Sequence, residues 1–226
     1  MRKLYLFGDC CDNFRSTCRQ FILAAGGSSA EIALLMQGER NWKESFTRYR
    51  DLLHQMDIRQ VWPVFPKGEE CTLSNRDMEN IEHASGILMT GGYTYRYIKI
   101  YTENEISSLI ESRYRSGIPF AGVSAGAILS IRLGFLPNAA LKPHFSEKKR
   151  FTELINKMIS SKSGFGFGID DGICVQILEE KDVEVYGKGR LYLLKRMQEN
   201  QFECWVLTSG SKFSCDFRNV HSPLRF

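Results

Sequence analysis

Gly122-Val123-Ser124-Ala125-Gly126 is the sharpest chemical signal in the chain. A serine between small residues can occupy a sharp turn and hold its hydroxyl at the tip. Here the apolar run Ile118-Pro119-Phe120-Ala121 precedes it, and Ala127-Ile128-Leu129-Ser130-Ile131 can continue as a helix. Strand, turn and helix in that order make a nucleophile elbow. The N–H groups at the start of the helix then point toward any negative charge that develops beside Ser124. A serine hydroxyl also needs a base, and the chain has four histidines. His54 ends an amphipathic stretch, His83 ends another, and His221 lies near the C-terminus. His144 follows Pro143, whose ring fixes the backbone and suppresses a helix before it. Of the four, His144 is the histidine best suited to be held in one place as the base.

A second glycine signal, Gly91-Gly92-Tyr93-Thr94, comes directly after the apolar run Ile87-Leu88-Met89-Thr90. Glycines at the carboxyl end of a parallel strand let backbone N–H groups approach a ligand. With the Ala125 N–H, such a loop can form an oxyanion hole. The same glycines also suit a plain strand-to-helix turn.

Those signals need a scaffold. Lys3 to Phe7, Ile32 to Met36, Val61 to Phe65, Gly86 to Thr90 and Ile118 to Val123 are short apolar runs of the kind buried in parallel sheets. Helical stretches separate them. Trp42 to Met56 sets Trp42, Phe46, Tyr49, Leu52, Leu53 and Met56 on one face, and Ser74 to Ala84 and Glu103 to Arg115 are further helices. The alternation predicts an α/β fold with a mostly parallel central sheet and helices on both faces. The last third differs. Glu184 to Leu194 and Phe202 to Leu207 alternate polar and apolar residues like half-buried antiparallel strands, with Gly187-Lys188-Gly189 expected as a hairpin turn. The sheet is therefore expected to have a β-rich C-terminal end. With no Pro-, Gly- or Ser-rich linker and no repeat, residues 1–226 are expected to form one domain.

Composition narrows the function. The 226 residues are 43% hydrophobic, 12% aromatic and 25% charged, which excludes disorder, collagen-like and low-complexity architectures. A net charge of +4 is too small for a dedicated nucleic-acid binder and suits a small anionic substrate. No apolar window of about 18 residues exists to cross a membrane. Cysteines at 10, 11, 18, 71, 174, 204 and 215 show no CxxC pair and no metal-ligand spacing. They are expected to be reduced, mostly buried thiols of a cytoplasmic protein. The apolar run at the N-terminus stops at Gly8-Asp9, too short for a signal-peptide core.

Four segments together resemble the peptidase E and cyanophycinase family of serine peptidases, built on the class I glutamine-amidotransferase-like fold. Thr90-Gly91-Gly92-Tyr93-Thr94 is similar to the family's G-G-[ND]-T loop. Gly122-Val123-Ser124-Ala125-Gly126-Ala127 is similar to its G-x-S-A-G-A elbow. Pro143-His144-Phe145-Ser146 followed by Arg150 is similar to its H-F-S-x-x-x-R motif, and Gly166-Phe167-Gly168-Ile169-Asp170-Asp171-Gly172 to its G-x-G-I-D-E turn. The resemblance spans about residues 30 to 195. It implies a three-layer flavodoxin-like fold, Ser124 as nucleophile and His144 as base, and oxyanion donation from the backbone of Gly92 and Ala125. It implies hydrolysis of small peptides beside aspartyl residues, with no metal or organic cofactor. Tyr93 and Thr94 of the glycine loop fall at substrate-binding positions, and Arg150 could meet a substrate carboxylate through a bidentate pair. The protein is expected to act as a monomer or homodimer, with no nucleic-acid or membrane partner.

Three departures stand out. The family carries its third triad member, a carboxylate, between the serine and the histidine, yet residues 125 to 143 contain no Asp or Glu. Glu147, Asp170 and Asp171 are the candidates to replace it. In a chymotrypsin-type triad, losing the orienting acid costs roughly 10⁴ in turnover. Tyr93 replaces the usual Asn or Asp of the glycine loop, which should change the pocket's shape and polarity. Lys142 stands where cyanophycinase-like members carry an acid, and would repel the arginines of cyanophycin. The missing acid and Tyr93 also motivate an alternative, an impaired relative that only binds a small ligand or a protein. A nucleotide- or phosphate-binding α/β protein is a third class, but neither G-x-G-x-x-G nor a P-loop is present.

Overall fold

The structure is a computed structural model that describes every residue except 11, 39–41, 67–71, 103 and 220. Two of the seven cysteines, Cys11 and Cys71, and the expected helix start at Glu103 lie outside the described residues. The large sheet begins with β1 (Lys3–Phe7), whose side chains alternate strictly between two apolar layers. Leu4 and Leu6 enter one core and Tyr5 and Phe7 the other, as a strand with period two requires when both its faces are covered. β2 (Glu31–Leu35), β3 (Gln60–Val64), β4 (Gly86–Met89) and β5 (Phe120–Val123) join it in the order β1-β5-β4-β2-β3, every ladder parallel.

Helices cover both faces. On one lie α1 (Phe14–Thr17), α2 (Arg19–Ala24) and α3 (Trp42–His54), which bury Phe14, Phe21, Ile22, Tyr49 and Leu53. α3 uses the expected face and ends two residues before Met56. On the other lie α4 (Asn75–His83), α5 (Thr94–Tyr101), α6 (Asn104–Arg115) and α7 (Ala125–Arg132). α4 starts in a capping box: the Asp77 N–H donates to Ser74 Oγ, and the Ser74 N–H donates to the Asp77 carboxylate.

The β-rich end extends the large sheet and also builds a second one. β8 (Ile173–Leu178), β9 (Asp182–Gly187) and β12 (Lys212–Ser214) continue the large sheet antiparallel beyond β1. β6 (Ala139–Pro143), β7 (Phe165–Ile169), β10 (Leu191–Gln198) and β11 (Gln201–Leu207) form a separate sheet in the order β11-β10-β7-β6. One face of that sheet joins the main core through Phe165, Phe167, Leu191 and Leu193. The other is covered by α8 (Phe151–Ser160) through Leu154 and Met158.

This arrangement corrects one expectation. Gly187-Lys188-Gly189 is not a hairpin turn, because β9 pairs with β8 and β12 while β10 pairs with β7 and β11. The glycines carry the chain from one sheet to the other, and the Lys188 N–H anchors the passage on the Gly172 carbonyl at 3.1 Å. The hairpin between β8 and β9 turns instead at Glu179 and Glu180, both left-handed with φ near 51° and 53°. Primed turns of this kind favour Asn and Gly, so the sequence gives no turn signal there. The glutamates are held by Arg2, whose guanidinium Nη2 lies 2.7 Å from Glu179 and 2.8 Å from Glu180.

Candidate active site

Ser124 sits between β5 and α7 with φ 51° and ψ −107°, a conformation rare outside glycine. Its N–H donates to the Phe7 carbonyl at 3.0 Å, tying the turn to the end of β1. The turn closes only because Gly122 lacks a side chain: a Cβ there would stand 2.5 Å from the Gly126 backbone. Ala125 opens α7, so its N–H belongs to the helix's first turn, where donors have no intrahelical acceptor.

His144 follows β6, also with φ 51°. Its Nε2 lies 2.8 Å from Ser124 Oγ, and its Nδ1 lies 2.6 Å from Asp171 Oδ1. An ionised carboxylate only accepts, so the proton sits on Nδ1 and the Nε2 lone pair faces the serine hydroxyl. The register of the second sheet produces this contact. β6 and β7 run parallel with Pro143 beside Ile169, so the residues just past both strands emerge side by side.

The three candidate carboxylates separate into three roles. Asp171 meets the imidazole. Glu147 Oε1 accepts the Asp171 N–H at 3.1 Å. Asp170 is buried and accepts two backbone N–H groups, from Ser146 at 2.9 Å and Arg190 at 3.1 Å, which pins the loops on either side. His54, His83 and His221 stand apart from the serine: His83 bonds the Glu79 carbonyl of its own helix, and His221 is exposed.

The dyad opens into a cavity of about 410 Å³. Gly91, Gly92 and Thr94 line it. A Cβ on Gly91 would stand 3.4 Å from Ser124 Cβ, so the glycine loop abuts the nucleophile. Gly92 has φ 156°, and a side chain there would run into Gln37. Gln37 Oε1 accepts the Tyr93 N–H at 2.9 Å and so holds the loop. The Tyr93 ring, 69% exposed, is not part of the lining, so it does not reshape the pocket as its bulk suggested.

Charge in the cavity is mostly positive. Arg48, Lys148 and Arg150 line it, against Asp9 as the one acidic lining residue among those described. Arg48 donates to the Cys10 carbonyl at 2.5 Å, and Arg150 to the Pro143 carbonyl at 3.2 Å. Lys142 lies outside the lining and pairs with Glu153 at 2.9 Å, a contact that lowers the Glu153 pKa. The repulsion expected of Lys142 therefore does not reach the cavity. Burial raises the Tyr49 pKa well above its ordinary value, so this wall residue stays a neutral phenol.

Sequence reasoning missed Asp9, Gln37 and Arg48. Asp9 and Gln37 each lie two residues past the carboxyl ends of β1 and β2, where ligands gather in parallel sheets, and that position was the available signal. Asp9, His144 and Asp171 also have ligand-type atoms all within 4.8 Å of one another. His144 already spends both nitrogens on Ser124 and Asp171, which leaves none free for a metal. The described cysteines are all free thiols; Cys10, Cys18, Cys174 and Cys215 are buried and Cys204 is exposed.

The family model of peptidase family S51 matches residues 40–185. A cyanophycinase of Trichormus variabilis is 24% identical over 203 residues, covering 80% of this chain and 68% of that protein. A cyanophycinase of Geminocystis herdmanii is 23% identical over 200 residues, covering 78% of this chain and 73% of its own. Among solved structures, a peptidase from an acI-B1 Actinobacterium superposes with a TM-score of 0.71 at 17% identity, over 95% of this chain and 97% of its own. A putative peptidase E protein from Listeria monocytogenes gives 0.62 at 15% identity, over 84% and 100%. At these identities the two structures speak for the fold.

Proposed function

The chain belongs to peptidase family S51 and is a serine-type peptidase, and from that premise we propose that it hydrolyses small peptides beside an acidic, aspartyl residue through Ser124, His144 and Asp171. One observation carries the reading: the continuous hydrogen-bond chain from Ser124 Oγ to His144 Nε2 and from His144 Nδ1 to Asp171.

In the first half-reaction Ser124 Oγ attacks the scissile carbonyl carbon while its proton passes to His144 Nε2. The carbonyl oxygen becomes an oxyanion, received by the N–H groups of Gly92 and Ala125. As the tetrahedral species collapses, the C–N bond breaks and the Nε2 proton goes to the leaving amine. Water then attacks the acyl-serine, gives a proton to Nε2 and releases the acid; that proton returns to Ser124 Oγ. Asp171 keeps the imidazole in the useful tautomer and balances its charge when protonated.

The cations of the cavity support an acidic substrate. Arg150 can pair with a carboxylate through two parallel bonds, Lys148 and Arg48 add positive charge, and Thr94 offers a hydroxyl. Tyr93 contributes through its backbone, which orders the glycine loop. The impaired, binding-only alternative rested on a missing acid and on Tyr93 in the pocket. The contacts of Asp171 and the exposure of Tyr93 support the catalytic reading in preference to it.

We further propose that the chain works as one unit over residues 1–226, as a monomer or homodimer in the cytoplasm. The free, buried thiols support a reducing compartment. No helix among the described residues is long and apolar enough to cross a membrane, and the small net charge argues against a nucleic-acid partner.

The test is active-site labelling with a fluorophosphonate, read by mass spectrometry on wild type, Ser124→Ala and His144→Ala, followed by turnover of aspartyl dipeptides. Labelling at Ser124 that depends on His144 is expected. Turnover retained by a folded Ser124→Ala variant would sink the proposal.

A further inference from the structure

We propose that Asn13 is a positioning residue of the site: its side-chain amide fixes the turn that carries Asp171, and so sets the contact between that carboxylate and His144. The inference rests on the reading of Asp171 as the orienting acid and adds to it a residue from the other end of the chain.

Asp171 stands in the turn Asp170-Asp171-Gly172, where the chain leaves β7 of the second sheet and enters β8 of the large one. Among the described residues its carboxylate takes part in one hydrogen bond, to His144 Nδ1 at 2.6 Å, and no backbone N–H cradles it. The place of the carboxylate therefore follows the backbone of the turn. That backbone is tied at both ends. At one end Asp170 accepts the N–H of Ser146, two residues past His144, at 2.9 Å. At the other, the Gly172 carbonyl accepts the Lys188 N–H at 3.1 Å and a proton of Asn13 Nδ2 at 2.7 Å.

Asn13 is built for this contact. A carbonyl oxygen only accepts, so the amide must present its NH₂ group there. The helix α1 holds Asn13 in turn. The Asn13 carbonyl accepts the N–H groups of Ser16 and Thr17 at 3.0 and 3.1 Å. Phe14, the next residue, is buried with its ring 5.1 Å from that of Phe7. The turn packs directly on the amide: Gly172 has φ 76°, and a Cβ there would stand 3.1 Å from Asn13 Oδ1 and 2.7 Å from the Lys188 carbonyl oxygen. Anchored helix, amide, turn and carboxylate thus form one line of contacts that ends on the imidazole. A misplacement of about 1 Å in such a line costs on the order of 10²-fold in rate. Lys188 remains as a second tie when the amide is removed, so the turn relaxes only in part.

The experiment is a double-mutant cycle on turnover of aspartyl p-nitroanilide, with wild type, Asn13→Ala, Asp171→Asn and the double variant, each shown to be folded. Asn13→Ala is expected to lower kcat about 3- to 30-fold, between the loss of one hydrogen bond and full displacement of the acid. KM should stay within about twofold, because Asn13 does not line the cavity beside Ser124. In the Asp171→Asn background the same change is expected to lower kcat by less than about twofold, since the group it positions is already gone. An asparagine that only stabilised the fold would cost as much in both backgrounds, and that result overturns the proposal. So does a change under about twofold in the wild-type background, or a loss that appears in KM and not in kcat. If Asn13→Ala fails to fold, the near-isosteric Asn13→Asp, whose ionised carboxylate cannot donate to the Gly172 carbonyl, takes its place in the cycle. An Asp171→Asn variant that keeps the wild-type kcat would refute the reading of the orienting acid itself, a result separate from the effect of Asn13.

Discussion

Replacing Asp171 by Asn removes one charge from the site and keeps its shape. The carboxylate and imidazole meet at 2.6 Å, with side chains 31% and 15% exposed. Two unit charges about 4 Å apart interact by about 4 kcal/mol at an effective dielectric of 20. Solvent access to this pair roughly halves that, to about 2 kcal/mol, or a factor of about 30 in stabilising the imidazolium formed during attack. The amide adds a second effect. If it turns its NH₂ toward Nδ1, the imidazole proton moves to Nε2, which then faces Ser124 as a donor and cannot take its proton. In a chymotrypsin-type triad the same substitution costs about 10⁴ in kcat. For Asp171→Asn a loss of about 10²- to 10⁴-fold in kcat is expected, with KM held within about threefold, because Asp171 does not line the cavity. The assay is steady-state turnover of aspartyl p-nitroanilide beside the rate of fluorophosphonate labelling, both on protein shown to be folded. Glu147→Gln serves as comparison: among the described residues Glu147 accepts from the Asp171 backbone N–H and not from the imidazole, so its loss should stay within about tenfold in kcat. A loss below tenfold for Asp171→Asn, or a larger loss for Glu147→Gln, would refute the assignment of the orienting acid.

Two further outcomes concern the scaffold. Among the described residues, Arg2→Ala leaves the buried Glu180 carboxylate with the Tyr114 hydroxyl, 3.3 Å away, as its hydrogen-bond partner. A cost of about 2–4 kcal/mol is expected, read as a fall of roughly 5–15 °C in Tm; a change under about 1 °C would show that the left-handed Glu179-Glu180 turn holds itself. Burial raises the pKa of Tyr5, Tyr49, Tyr101 and Tyr114 above the ordinary tyrosine value. The unfolded chain therefore loses these protons first, near pH 10, and stability is level below that pH. Above it, stability falls by up to about 1.4 kcal/mol per pH unit for each such tyrosine. Denaturant melts across the alkaline range, with tyrosinate absorbance as the probe, check the sign; stability that stayed level above pH 10 would contradict it.

What local sequence determines is visible at Ser124. The apolar run, the flanking glycines and the helix-compatible residues after it are contiguous, so strand, turn and helix follow from neighbours in the chain. The parallel strands were legible for a similar reason: a strand covered on both faces is apolar along its length, and β1, β2 and β4 read that way directly. With four histidines and one held behind a proline, His144 could be chosen without coordinates, and it stands within hydrogen-bond distance of Ser124.

The orienting acid was not legible. Asp171 lies 27 residues beyond His144, and only the parallel pairing of β6 with β7 makes the two neighbours. That register depends on a second sheet whose existence the alternating pattern of the last third did not reveal. Alternation reports that a strand has one buried face, and it is silent about which sheet the strand joins. The same limit turned Gly187-Lys188-Gly189 into an expected hairpin, since glycine marks an unusual backbone and not its destination. Asp9 is the complementary case: its one mark in sequence is its place just past an apolar run, and the β1–β5 ladder brings it to the nucleophile across more than a hundred residues of chain. Chain neighbours thus determine the elbow, its glycines and the alternation of elements. Which carboxylate faces the imidazole, and which charges line the cavity, is decided by strand order and register, because pairing energy is gained only between segments that the sequence keeps far apart.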